Sequence, residues 1–457
     1  MNESTTSTRK AFSGSASLAA IGLKLKEVKV FEPIEQQVQI AQKTVKDRPT
    51  DKLYDAWISL LAGAHGLVEI NTRLRADVAL QRAFGRSRCA EQSVVQDTLN
   101  ACTSENVEQM QHAMDCIYRQ RSQGFGHDYQ TSFQVLDVDM SGLPCGPKAA
   151  FATKGYFAQQ RNRRGRQLGR VLASRYGEIV VDRLFEGKTQ LTRALQPLLL
   201  ASEETLQLNE DKRRHTIVRV DAGGGSLDDV NWLLARSYLV HCKDYSGRQA
   251  KRLAQSVQEW FVDPHQPERE FGWVTEAADA YVHPVNRIAV RCRQQDGTFA
   301  HGVLISALSA QQVLTLTGQS LCWLEDPAAV LLAYVTFYDQ RGGGVETSFK
   351  GDKQGLGIGK RSKKRFEAQQ MLMLLGSLAH NVIVWARHWL ANTPLHHYGT
   401  VRMVRDVFHI SGFLLTDACG QVVQVVLNQA APLASALVDP LRKLLLCAQV
   451  AVNLGQT

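Results

Sequence analysis

The run His215–Ser226, HTIVRVDAGGGS, reads as a short apolar strand that ends in Asp221 and turns through a glycine loop. The residues after it, LDDVNWLLARS, carry helical spacing, and YLVHCKD then reads as a further strand. Strand, aspartate, glycine loop and helix in that order is an α/β layout, in which ligands gather at the carboxyl ends of strands. The order alone leaves the role of Asp221 open. It suits a metal-binding acid. VDAGGGS equally suits the glycine-rich loop of a methyltransferase, for which Asp244, ending YLVHCKD, would hold a ribose.

Working upstream, SFQVLDVDMSG (132–142) alternates as a strand. Phe133, Val135, Asp137 and Asp139 fall on one face, Leu136 and Val138 on the other. Asp137 and Asp139 therefore compete for one acidic role. RQLGRVLASRYGEIVVDRLFEG reads as a hairpin turning near Tyr176–Gly177, followed by a helix in TQLTRALQPLLLASEETL. Before the first strand, residues 19–130 have helical spacing. DRPTDKLYDAWISLLAGAHGL has Thr50 or Asp51 as a cap ahead of the stripe Leu53, Trp57, Leu60 and Leu61. Interspersed arginines (Arg73, Arg75, Arg82, Arg86, Arg88) suit a small DNA-binding bundle or a plain helical domain with a basic surface. Residues 1–18 are Ser/Thr-rich and are expected to be disordered.

Working downstream, residues 246–327 read as antiparallel strands, REFGWVTEA, NRIAVRCRQ and GTFAHGVLISAL, inserted between two parts of the α/β core, 131–245 and 328–395. Trp260, Trp273 and Trp323 lie in or beside this insertion, either as buried aromatics or as platforms for a base. A long helix, AQQMLMLLGSLAHNVIVWARHWL, follows, and residues 396–457 read as a hairpin and a closing helix.

The second part of the core contains YDQRGGGVETSFKGDK (338–353). It sets one carboxylate, Glu346, among Tyr338, Arg341, Lys350 and Lys353. A carboxylate can hold a divalent metal, while the cations grip phosphate. If the chain is helical from Glu346, Lys350 and Lys353 share its face at i+4 and i+7.

Of 457 residues, 44% are hydrophobic and 21% charged, which is a core-forming composition. The formal charge of +9 and a pI near 9.1 favour a polyanionic partner, nucleic acid first among them. The KGYFAQQRNRRGRQLGR run, with Arg163, Arg164 and Arg166, adds to that expectation. Nine cysteines stand without a Cys-x-x-Cys pair, which disfavours a zinc site and points to a reducing cytoplasm. No apolar run is long enough to span a bilayer.

Asp139, Asp221 and Glu346, in the order strand, strand, helix with β-rich sequence before the third, resemble the acids of the DDE transposases of bacterial insertion sequences. The similarity is to the branch with a Tyr-Arg-Glu-Lys motif around the third acid. LDVDMS, KGYF with its basic run, VRVDAG and LAHNVIVWAR strengthen it. The resemblance implies a ribonuclease-H-like core with a β-rich insertion, preceded by an α-helical N-terminal domain. It implies that Asp139, Asp221 and Glu346 are catalytic and bind two Mg²⁺ ions, for which Mn²⁺ can substitute. Tyr338, Arg341, Lys350 and Lys353 would meet DNA phosphate. The expected activity is cutting at terminal inverted repeats and joining the ends to target DNA. Expected partners are double-stranded DNA and a second copy of the chain, with no membrane. A non-catalytic DNA-binding descendant is the alternative. One departure stands out: the family usually places three residues between Arg and Glu, whereas four separate Arg341 from Glu346.

Overall fold

Alternating apolar and polar residues build the sheet that carries the acids. The computed structural model describes residues 9–43, 46–155, 157, 160, 162–390 and 394–456, and divides into two units. One comprises Met1–Ser122, Leu143–Arg166 and Ser348–Thr457; the other comprises Gln123–Gly142 and Gln167–Thr347.

In the second unit the strands are β1 (Gln134–Pro144), β2 (Arg164–Ala173), β3 (Glu178–Glu186), β4 (Thr216–Val220) and β5 (Leu239–Lys243), then β6 (Phe261–Asp263), β7 (Gln266–Trp273), β8 (Asn286–Arg293) and β9 (Phe299–Ser306). The ends of β1 and β2, Leu143–Pro144 and Arg164–Arg166, belong to the first unit. The strand order is β3-β2-β1-β4-β5-β9-β8-β7-β6. β1, β4 and β5 are parallel, and β6 to β9 continue from β5 as an antiparallel ribbon. The residues expected as a β-rich insertion, 246–327, carry four strands that extend the core sheet edge to edge. They begin with a helix, Gly247–Leu253. Apolar side chains of β7 to β9 (Phe271, Ile288, Leu304) share one core with Val135 and Ile217.

Register sets the charged rows. Asp137, Arg219 and His241 are partners across β1, β4 and β5. Two residues further on, and so on the same face, come Asp139, Asp221 and Lys243. That face is covered by α1 (Pro327–Arg341), whose first turn is fixed by Pro327 and by Asp326 accepting from the Ala328 and Ala329 amides. α1 buries Leu331, Tyr334, Val335 and Phe337, each contributing about 2 kcal/mol of apolar burial. Two polar contacts key it to the sheet. Arg219 Nη1 donates to the Phe337 carbonyl at 2.7 Å, and His241 Nε2 lies 3.1 Å from the Tyr334 carbonyl.

The first unit gathers helices Pro49–Leu61, Gln92–Ala101 and Ser104–Arg121 around Phe366–Trp389, which is buried from Ala368 to Ala386. A four-stranded sheet joins Arg9–Ser13 to Gly412–Thr416, Val422–Asn428 and Ala451–Gly455. Residues 19–122 of the expected N-terminal helical domain and the expected C-terminal hairpin and helix, 396–457, fall in one unit, and residues 123–130 in the other. Of the expected disordered tail, residues 1–8 lie outside the described residues. Arg9–Ser13 is a strand paired with Gly412–Thr416, and Ala16 opens a buried helix. Among the described residues no helix is long and apolar enough to cross a membrane.

Asp137 and Arg219 are both buried and tie β1, β4 and α1 together. Removing one partner strands the other charge, so Asp137→Ala should destabilise by about 3–5 kcal/mol. The check is the urea midpoint at neutral pH; a midpoint equal to that of the native chain would show the pair to be dispensable.

Candidate active site

Asp139 extends from β1, which runs on past it to Pro144, while Asp221 stands just beyond the end of β4. Asp221 caps a 3-10 turn, Ala222–Gly224, by accepting from the Gly223 amide at 2.8 Å. Glu346 ends a π-turn, Gly342–Glu346, that follows α1 directly. Between these acids lies the guanidinium of Arg341, which is buried. Its Nη1 donates to Glu346 Oε1 at 2.8 Å, and its Nη2 sits 3.1 Å from Asp139 Oδ2. Nε and Nη2 make no well-directed hydrogen bond, so Nη2 and Asp139 are held by charge more than by alignment.

Burial pushes the Asp139 carboxyl up to about 6; repulsion from Asp221 and Glu346 adds to the rise, against the pull of Arg341. Burial works against the Arg341 charge, yet Asp139 and Asp221 outweigh it and hold the guanidinium protonated. Tyr338, on the last turn of α1, has its phenol pushed up to about 12, chiefly by burial, and is no proton carrier at neutral pH.

The extra residue between Arg341 and Glu346 has a structural answer. In an α-helix, positions i and i+5 point apart; here the chain kinks at Gly344, and the kink brings Glu346 back to Arg341. Gly344 breaks helical geometry (φ −91°, ψ −105°), and a Cβ there would meet Asp137 Oδ2 at 2.5 Å. Only glycine lets this backbone close on the buried Asp137.

Asp137 itself is committed elsewhere. Its carboxylate takes Arg219 Nε at 2.6 Å and Nη2 at 2.9 Å, and the Ser174 hydroxyl. Of the two competing aspartates, Asp139 is the one beside Asp221, Glu346 and Arg341. The glycine loop closes on protein rather than on open space: a Cβ at Gly225 would lie 1.9 Å from the Lys243 carbonyl. Asp244, the ribose candidate, accepts from the Ser246 amide at 2.7 Å and so caps its own turn.

Other expected residues fall outside this cluster. Arg166 is fully buried in the first unit, donating to the Ala150, Lys363 and Lys364 carbonyls, which removes it from any phosphate. Arg163 and Arg164 are exposed, and Arg161 lies outside the described residues. Lys350 is exposed and Lys353 half-buried on the helix Thr347–Gly355, in the part belonging to the first unit. Trp260 lies under the Arg291 guanidinium, Trp273 packs edge-on against Tyr334, and Trp323 is exposed. Sequence reading missed Lys243 and Arg269, which line a cavity of about 220 Å³ with Tyr338. No sequence signal marked Lys243, because the pairing that sets the ends of β4 and β5 level shows only in the folded sheet.

The three carboxylates are hard oxygen donors of the kind Mg²⁺ takes. Among the described residues no three His, Cys, Asp or Glu side chains are spaced to hold an ion as they stand, and Arg341 occupies the space between Asp139 and Glu346.

No family model matches the chain, and no curated protein matches its sequence. Among solved structures it is similar to a piggyBac transposase synaptic complex with hairpin DNA, with a TM-score of 0.46 and 11% identity over 95% of this chain and 84% of that one.

The raised Asp139 value has a consequence for the metal-free protein. The fold binds this proton more tightly than the unfolded chain, whose carboxyl titrates near 4. The contribution to stability is complete below about pH 4 and is lost as pH rises through 6. At neutral pH the ionised group therefore costs roughly 3 kcal/mol, two pK units at about 1.4 kcal/mol each. In EDTA, Asp139→Asn should unfold at higher denaturant than the native chain at pH 7.5, and its advantage should vanish near pH 4. Equal midpoints across that range would refute the coupling.

Proposed function

We propose that the chain is a DNA transposase, cutting at the terminal inverted repeats of an insertion sequence and joining the ends to target DNA by phosphoryl transfer. One observation carries this reading: three carboxylates remote in sequence, Asp139, Asp221 and Glu346, gather about the buried Arg341. They come from the first strand of the core, the end of the fourth strand, and the turn after the covering helix. This is the strand, strand, helix order of the DDE resemblance, and we read the core as ribonuclease-H-like.

Asp139, Asp221 and Glu346 would hold the Mg²⁺ ions, for which Mn²⁺ can substitute. Bound ions supply an activated attacking oxygen and charge relief on the leaving one. The protein's own part is electrostatic and positional. Holding an ion requires Arg341 to release Asp139 and Glu346. A released guanidinium in a buried setting then favours a phosphate oxygen, which it can bind in bidentate fashion. Tyr338, protonated at neutral pH, contributes packing or hydrogen-bond donation to the same phosphate. Double-stranded DNA and a second copy of the chain are the partners this chemistry needs.

A second reading, a non-catalytic DNA-binding descendant, is favoured by the same Arg341: its guanidinium already pairs with two of the acids. A methyltransferase has little left to support it, because Gly225 and Asp244 are spent on local packing and capping.

The deciding experiment uses DNA carrying the inverted repeats that flank the gene. The native chain should nick it with Mg²⁺. Asp139→Ala, Asp221→Ala and Glu346→Ala should each lose on the order of a thousandfold in rate, several kcal/mol of transition-state stabilisation, with binding retained. Binding without nicking by the native chain would establish the descendant instead. S-adenosylmethionine binding in calorimetry would revive the methyltransferase.

A further inference from the structure

Arg166 does more than bury a charge. Its guanidinium donates to the Ala150 carbonyl, at 2.8 Å from Nε, and to the carbonyls of Lys363 and Lys364, at 3.0 and 3.1 Å. Gln369 Oε1 takes a further bond, and the Ala150 amide donates to the Lys364 carbonyl at 2.8 Å. Lys154 is the Cα partner of Arg164 across a short ladder, and the Cys145 amide donates to the Arg164 carbonyl. Two basic runs far apart in sequence are thereby bolted into one face of the first unit.

The cations of that face point outward. Lys148, Lys154, Arg163, Arg164, Lys364 and Arg365 are exposed. From Leu143 to Arg166, and from Lys360 to Phe366, the sequence has no Asp or Glu. The first acid beyond is Glu367, 3.6 Å from Arg365. Beside Ala150, in the middle of the bolted segments, stands Phe151. Its side chain is 60% exposed and touches Phe366 edge-on, with ring centroids 5.2 Å apart. Its φ of +57° is a region that bulky L-residues rarely adopt. An aromatic held in that conformation yet left in water gains little from burial, and such residues cluster at functional positions.

We propose that this face grips duplex DNA, its cations neutralising backbone phosphates while Phe151 enters between base steps as an apolar wedge. Cations at the rim and an inserted apolar side chain are the two parts by which proteins bend a duplex from its minor groove. The proposal rests on the reading of DNA as substrate and adds the surface that holds it outside the acid cluster.

Fluorescence anisotropy of a short labelled duplex, titrated in EDTA across a series of KCl concentrations, tests it. For the native chain log K should fall steeply with log salt. Arg164→Ala/Lys364→Ala should flatten the slope by roughly 0.9 for each phosphate no longer neutralised. Phe151→Ala should weaken binding roughly tenfold with the slope unchanged, and Phe151→Leu, which keeps a wedge, should recover most of it. Circular dichroism confirms that each variant is folded. An unchanged slope in the double variant, or unchanged affinity in Phe151→Ala, overturns the proposal and leaves the transposase reading to the cleavage assay. A native chain that binds no duplex at any salt overturns both.

Discussion

The second unit depends on one buried ion pair. Asp137 and Arg219 face each other across β1 and β4 with almost no solvent contact. Such a pair is costly to desolvate and persists only when its remaining donors and acceptors are satisfied. Here they are. Ser174 donates to Asp137, and Arg219 spends its third nitrogen on the Phe337 carbonyl while stacking 4.6 Å over that ring. The third bond matters most, because it fixes the end of α1 to the middle of the sheet. Arg341 and Glu346 follow within the next turns, so their place over Asp139 is inherited from a pair that does no chemistry itself.

Gly344 belongs to the same logic. The chain must leave α1 close to Asp137, then bring Glu346 round to Arg341. A straight α-helix with four intervening residues does neither. Gly344 is where the chain kinks, and it permits the close approach to Asp137 Oδ2. The kink within the glycine run brings the two charged side chains together. A Cβ at Gly342 or Gly343 would meet open space, so the constraint is concentrated at one position.

Much of this was legible because strand periodicity is a local property. The alternation in SFQVLDVDMSG placed Asp137 and Asp139 on one face, the hairpin at Tyr176–Gly177 was signalled by its turn, and Asp221 at the head of a glycine loop was evident. What stayed hidden was partnership. Asp137 and Asp139 differ only in which cation faces them, and Arg219 and Arg341 come from distant segments. Arg166 illustrates the same limit. Amid Arg163 and Arg164 it reads as a third surface cation, and as Arg164 and Arg166 are two apart on one strand the alternation does not separate them; Arg166 is buried because carbonyls of a segment about two hundred residues on accept its protons. How the β-rich insertion joins the core stayed open for a related reason: a run of strands looks alike whether it forms its own sheet or lengthens a neighbour's.

Charge counting meets this limit most directly. A net charge of +9 invites the inference that arginines are available to phosphate. Arg166, Arg170, Arg219, Arg341 and Arg361 are all buried, bound to carboxylates or to backbone carbonyls. A guanidinium suits this use, since its planar donors satisfy several acceptors at once and it resists losing its proton. Such residues organise the polypeptide and add nothing to counterion release on binding. The field that a polyanion meets comes from the remainder, and most strongly where acids are absent, as around Phe151. Arg341 differs from Arg170 and Arg219, which are also bound to carboxylates, in that its partners Asp139 and Glu346 belong to the acid cluster, where the preference between a guanidinium and a metal ion is set by what else enters the site.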